Sequence, residues 1–178
     1  MKLIKYTLLA LVGLIGTCVI VLLAMGGWRG TTHLKGEVVI AKPPADVYAW
    51  VSEADRVKQW VSWLVEVRTL TPGIDGPGRK ELWVMDDPTM GERLEITGEV
   101  VAADAPAMRR VKMSMPQGFD GVVSYDLTAL DGGTRLSYTS DYEYASWLAR
   151  LMSPIVTYQA QQKMAADLAT LKRLAEAN

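Results

Sequence analysis

Residues 37–68 read EVVIAKPPADVYAWVSEADRVKQWVSWLVEVR, and this stretch decides the fold. The β-branched run from Leu34 to Ala41 is stopped by Pro43-Pro44 and predicts a first strand. Pro44 suits the first turn of a helix, where its missing N–H costs nothing, so a helix carrying Asp46, Val47, Tyr48, Trp50 and Val51 follows. A second helix is predicted over Glu53–Leu64, with Val57, Trp60, Val61 and Leu64 on one face.

Downstream, the period changes from helical to alternating. Val65–Leu70 and Arg79–Met85 are short strands separated by the turn residues Pro72, Gly73, Gly76, Pro77 and Gly78. Over Glu92–Ala102, Leu94, Ile96, Gly98 and Val100 alternate with charged or polar neighbours, as in a half-buried antiparallel strand. Arg109–Met115 repeats the pattern through Val111, Met113 and Met115. Phe119–Leu130 and Thr134–Tyr144 flank a turn at Asp131-Gly132-Gly133, and collect Phe119, Val123, Tyr125 and Leu127, then Leu136, Tyr138, Ser140 and Tyr142. From Ser146 the chain is helical to its end, interrupted only by Pro154. Leu148, Leu151, Ile155 and Tyr158 form one apolar stripe, which Met164, Leu168, Leu171 and Ala175 continue toward the sheet.

The order is strand, two short helices, about six antiparallel strands and a long helix. It resembles the helix-grip fold of the SRPBCC superfamily of START and birch-pollen-allergen-like proteins. Residues 37–68 are similar to the opening of that family: a strand, Pro, a Val-aromatic pair and a helix ending in Trp60-x-x-Trp63. Residues 152–178, MSPIVTYQAQQKMAADLATLKRLAEAN, are similar to its closing helix, above all in the polyketide cyclase/dehydrase branch. The resemblance covers roughly residues 34–177. It implies an α+β fold with a curved antiparallel sheet around the C-terminal helix, and a cavity between them used for lipids, sterols, polyketides and similar molecules. It carries over no fixed catalytic residue, and fold alone does not specify function.

Ahead of this domain, residues 6–25 read YTLLALVGLIGTCVIVLLAM with no charge. Twenty helical residues span about 30 Å, the thickness of a bilayer's hydrocarbon core. Residues 1–30 are therefore expected to be a transmembrane anchor with its linker, and 31–178 the helix-grip domain. A cleaved signal peptide is the competing reading, although its apolar region is usually about 7–15 residues. Lys2 and Lys5 against Arg29 and Lys35 favour, narrowly, an N-terminus inside and a domain outside, which is the periplasm for a bacterial inner membrane. Gly13 and Thr17 make a small-xxx-small pair that offers a face to another membrane protein, though such pairs are common in single spans. His33 falls in the expected linker, in water.

Composition removes several functions. The net charge is −1, against a phosphate-dominated nucleic-acid binder. One Cys and one His leave no disulfide framework and no multi-His or zinc site, and no cofactor is implied. The 20 acidic and 16 of the 19 basic residues lie beyond residue 30, leaving the domain mildly acidic.

The inward strand phases and the helix stripe gather Trp83, Met113, Met115, Tyr125, Tyr138, Tyr142 and Tyr158, the candidate ligand-binding set. Aromatic and Met side chains suit an adaptable apolar pocket but equally fill a core. Buried phenols need a partner or a ligand's polar group. Arg109 shares the phase of Val111 and Met113. It either points into the grip to hold an anionic head group or snorkels from a strand end. Asp86-Asp87 is the one adjacent carboxylate pair, and Asp-Asp-Pro is an ordinary turn. Three functions stay open: a membrane-tethered binder or carrier of a hydrophobic or amphipathic molecule, an accessory subunit of a membrane complex, and a cyclase- or hydrolase-type enzyme. The lack of His and Cys chemistry argues against the last.

Overall fold

In the computed structural model, which describes residues 2–86 and 93–177, the chain is an α+β helix-grip domain preceded by one apolar helix. Seven strands form one antiparallel sheet: β1 (Thr31–Ile40), β2 (Leu64–Thr69), β3 (Lys80–Asp86), β4 (Arg93–Asp104), β5 (Met108–Met115), β6 (Phe119–Leu130) and β7 (Gly133–Tyr144). Their order across the sheet is β1-β7-β6-β5-β4-β3-β2. The six strands from β2 to β7 are sequential neighbours, and β1 closes the sheet by pairing with β7 from Thr31↔Glu143 to Ile40↔Thr134. Register shifts at Leu64/Glu66 and Val100/Ala102 break the ladders; an extra residue at such points bends and twists a strand, which helps the sheet to curl.

The helices are α1 (Lys2–Leu22), α2 (Pro44–Ser52), α3 (Ala54–Trp60) and α4 (Trp147–Ala177). Pro44 opens α2 as expected. The second helix is shorter than its apolar spacing suggested. It stops at Trp60, and Leu64 belongs to β2, because Trp63 adopts φ 70° and turns the chain into the sheet. Trp60 Nε1–H donates to the Trp50 carbonyl (2.8 Å), clamping α3 onto α2 at the core. Ser146 caps α4 by accepting the Ala149 N–H (3.1 Å).

The C-terminal half of α4 packs as predicted: Met164, Leu168, Leu171 and Ala175 are buried. The N-terminal half does not. Leu148, Ile155 and Tyr158 are 55%, 38% and 67% exposed, so that part of the stripe points away from the sheet.

α1 continues through Leu23–Gly27, wound more widely and kinked at Gly26 (φ 102°). The segment Ile4–Gly27 is long and apolar enough to cross a membrane, and it meets the domain at its end, where Gly27 is buried. Thr17 Oγ1–H donates to the Gly13 carbonyl (2.9 Å), so the hydroxyl of the expected helix-pairing face bonds within its own helix. The linker is shorter than expected. Only Trp28, Arg29 and Gly30 separate the helix from β1, and His33 lies inside β1, its Nδ1 paired with Asp141 Oδ1 of β7. Polar residues Thr31, Thr32 and His33 hide this extension in the sequence; the ladder to β7 supplies it.

Candidate functional site

Between the concave face of the sheet and α4 lies a cavity of about 270 Å³. Strand alternation builds its floor. On β3, Glu81, Trp83 and Met85 share one phase; on β4, Leu94 and Ile96; on β5, Arg109, Val111 and Met113; on β6, Phe119, Val123 and Tyr125; on β7, Tyr138 and Tyr142. Trp60, Val61 and Trp63 close one side. Ala160, Lys163, Met164 and Asp167 of α4 form the roof.

Five of the seven candidate residues therefore face one space: Trp83, Met113, Tyr125, Tyr138 and Tyr142. Met115 packs against the core from the end of β5 but is not part of the cavity wall. Tyr158 is a correction. It stands on the outward face of α4, because an apolar stripe at helical spacing records which side chains share a face and not what covers them.

The aromatic walls interlock edge to face. Tyr125 meets Tyr138 at 5.4 Å between ring centroids, Phe119 meets Tyr142 at 4.9 Å, and Trp60 meets Tyr125 at 6.5 Å. Burial pushes the Tyr125, Tyr138 and Tyr142 phenols above their ordinary value, so they are neutral donors at physiological pH. Ser140 lies between Tyr138 and Tyr142 on β7 and is fully buried. Its Oγ makes no hydrogen bond of good geometry, and the two phenol hydroxyls interact with it and with each other more loosely. Tyr138 and Tyr142 thus stand in the wall, and the Ser140 hydroxyl, outside the lining, has unused bonding capacity.

Two charged groups interrupt the apolar lining, and sequence reasoning found only one member. Arg109 is 3% exposed, so it does not snorkel to water. Its Nη2 lies 3.8 Å from Glu81 Oε1, and Glu81, equally buried, is held by Arg79 Nε (2.8 Å) and accepts the Trp83 Nε1–H (3.0 Å). The signal for Glu81 is its phase, which it shares with Trp83 and Met85. Arg109 also borders a polar surface groove with Asp75 and Arg79, so it stands between that groove and the cavity. On the roof, Asp167 is bonded to Lys163 Nζ (2.7 Å) and accepts the Ser62 N–H at Oδ1 (3.2 Å). Lys163 Nζ in turn sits 5.0 Å from the Trp63 ring centroid, a cation–π distance. Asp167 also left a trace in sequence, between Met164 and Leu168 on the buried stripe.

Asp86 ends β3 and is exposed, with its backbone N–H bonded to the Trp63 carbonyl (2.7 Å); Asp87 lies outside the described residues. Among the described residues no cluster of three or more His, Cys, Asp or Glu has the arrangement of a metal site.

A family model described as "Polyketide cyclase / dehydrase and lipid transport" matches residues 31–176. The chain belongs to this family. The match covers all seven strands, α2, α3 and nearly all of α4, and leaves α1 outside. No curated protein matches the chain. Solved structures share the family's fold at low identity. Protein CV1439 from Chromobacterium violaceum is 16% identical, with 83% of this chain and 99% of that one covered and a TM-score of 0.64. Ara h 8.0201 is 15% identical, with 84% and 100% covered and a TM-score of 0.64. The di-domain ARO/CYC StfQ from the steffimycin biosynthetic pathway is 13% identical, with 83% of this chain and 51% of that one covered and a TM-score of 0.62. These likenesses show the helix-grip fold, and together with the family match they support the SRPBCC superfamily.

Proposed function

We propose that this protein is a membrane-tethered binder or carrier of a hydrophobic or amphipathic small molecule. The observation that carries the reading is the open, mostly apolar cavity of about 270 Å³ at the centre of the grip, in a family described by lipid transport as well as cyclase chemistry. A scaffold subunit has no need of such a space, and a filled interior would have favoured that role. Trp83, Met113, Tyr125, Tyr138 and Tyr142 supply the contact surface. Burial of apolar ligand area contributes about 25 cal/mol per Å², less the cost of immobilising the ligand. The neutral phenols, Arg109 and the Lys163–Asp167 pair give the ligand's few polar atoms fixed partners.

In this reading α1 is retained as a single-pass anchor in a bacterial inner membrane with the grip domain on the outer side, and the short connection through Trp28–Gly30 keeps the cavity close to the bilayer. A lipid-soluble ligand then has little water to cross. The test is mass spectrometry of the organic extract of intact protein purified in mild detergent. The expected result is one apolar species at near-stoichiometric amount that is absent from the detergent blank. Protein that carries nothing and takes up no apolar probe contradicts the binder reading.

A further inference from the structure

The outward stripe of α4 is left largely exposed among the described residues. Trp147 is 75% exposed, Leu148 55% and Tyr158 67%, and Ile155 and Val156 are exposed beside them. A contiguous apolar surface of this kind on a soluble domain marks a contact with something else. Its position says what. Gly27, the last residue of the continuous apolar segment, is buried against this part of α4. A Cβ there would stand 2.7 Å from the Leu151 carbonyl oxygen, and one at Gly30 would stand 2.4 Å from Arg150 Cγ. Residues 150–151 therefore touch the point at which the apolar helix ends. If Ile4–Gly27 fills the hydrocarbon core, that point is the membrane interface, and the first turns of α4 are at the same depth.

The chemistry of the segment agrees. From Tyr144 to Ala166 there is no acidic residue, whereas Arg150 and Lys163 are basic. Trp and Tyr, with an apolar ring and a polar edge, are the residues enriched at the head-group level. Trp28, 68% exposed, stands just past the end of the anchor.

We propose that the N-terminal half of α4, about residues 147–158, lies on the bilayer interface as an in-plane helix, with Trp147, Leu148, Ile155 and Tyr158 inserted at the head-group boundary. This rests on α1 being a membrane span but not on ligand binding. α4 is then one helix with two tasks. Its first half docks on lipid; its second, from Ala160 through Met164 to Asp167, roofs the cavity. The cavity roof thereby begins within one turn of the docked segment, two residues after Tyr158.

The test uses the full chain in lipid nanodiscs, with Cys18→Ala as background and a nitroxide label at Leu148→Cys, Tyr158→Cys or, as a control on the exposed face of β6, Thr128→Cys. Power-saturation spectroscopy measures collision with oxygen, which concentrates in lipid, and with a nickel chelate, which stays in water. An oxygen-to-nickel accessibility ratio several-fold higher at 148 and 158 than at 128 is the expected result. Equal ratios at all three sites overturn the proposal, because the stripe is then in water. Low access to both reagents at 148 and 158 also overturns it, in favour of a protein partner or a second copy. Intact mass of the same sample reports whether α1 is retained, which separates loss of the anchor from failure to dock.

Discussion

Gly36 of β1 lies directly beneath Leu168 of α4: a Cβ at Gly36 would stand 2.6 Å from Leu168 Cδ1 and 2.9 Å from Met164 Cε. This close approach lets the helix settle into the sheet, and it fixes the height of the cavity roof, since Met164 is part of both contacts.

Gly36→Val should therefore destabilise the protein by about 1–3 kcal/mol, the usual range for overpacking a core. Leu168→Ala alone should cost about 2–5 kcal/mol through the cavity it leaves. In the double variant the valine occupies part of that space, so its loss should be clearly less than the sum of the two. Denaturant unfolding of the four proteins checks this; strict additivity would mean that the two residues do not share one contact.

Glu81 holds two guanidinium groups, and Arg109 is as buried as Glu81 itself. Removing one member of a buried ionic group leaves charge without compensation, so Glu81→Ala should cost about 3–5 kcal/mol. Glu81→Ala combined with Arg109→Met should recover a large part of this. Equal stability of the single and double variants would show that Arg109 does not depend on Glu81.

The cavity phenols give the protein an alkaline limit. Burial raises Tyr125, Tyr138 and Tyr142 above the ordinary value of 10.0. Below that value the phenols are protonated in both states and contribute no pH dependence. Above it the unfolded chain releases protons that the folded chain retains, so stability falls with rising pH, by about 1.4 kcal/mol per unit for each phenol. The melting temperature should fall more gently above pH 10 in Tyr138→Phe than in the parent. Parallel curves would show that Tyr138 titrates freely in the folded state.

How much of this was legible in the sequence varies by residue. The alternation of Leu94, Ile96 and Val100, and of Val111 and Met113, determined which strand faces point inward, because a half-buried strand has to alternate. The same logic applied to Glu81, but a charged residue in an apolar phase is easily read as a strand end. Three polar residues, Thr31, Thr32 and His33, precede the apolar run and read as linker in the sequence; only pairing with Asp141 and its neighbours on β7 makes them strand. Tyr158 reads as inward in the sequence because helical spacing gives a stripe without its partner. For the first half of α4 the sheet is not that partner.

Ser140 is fully buried outside the lining, so enlarging it would test packing. Ala160, on the roof, is the appropriate position. Ala160→Trp should leave the fold close to the parent in stability while occupying the ligand's space, and circular dichroism with thermal melting checks the first half of that statement.

The most direct test of the binding account is photo-crosslinking of the full chain in nanodiscs with a diazirine-bearing alkyl probe, followed by peptide mapping. The account predicts adducts on the strands that carry Met113 and Tyr138, and their loss in Ala160→Trp while adducts on α1 persist. Adducts confined to α1 in the parent protein would show that the cavity takes up no apolar molecule, and would contradict it.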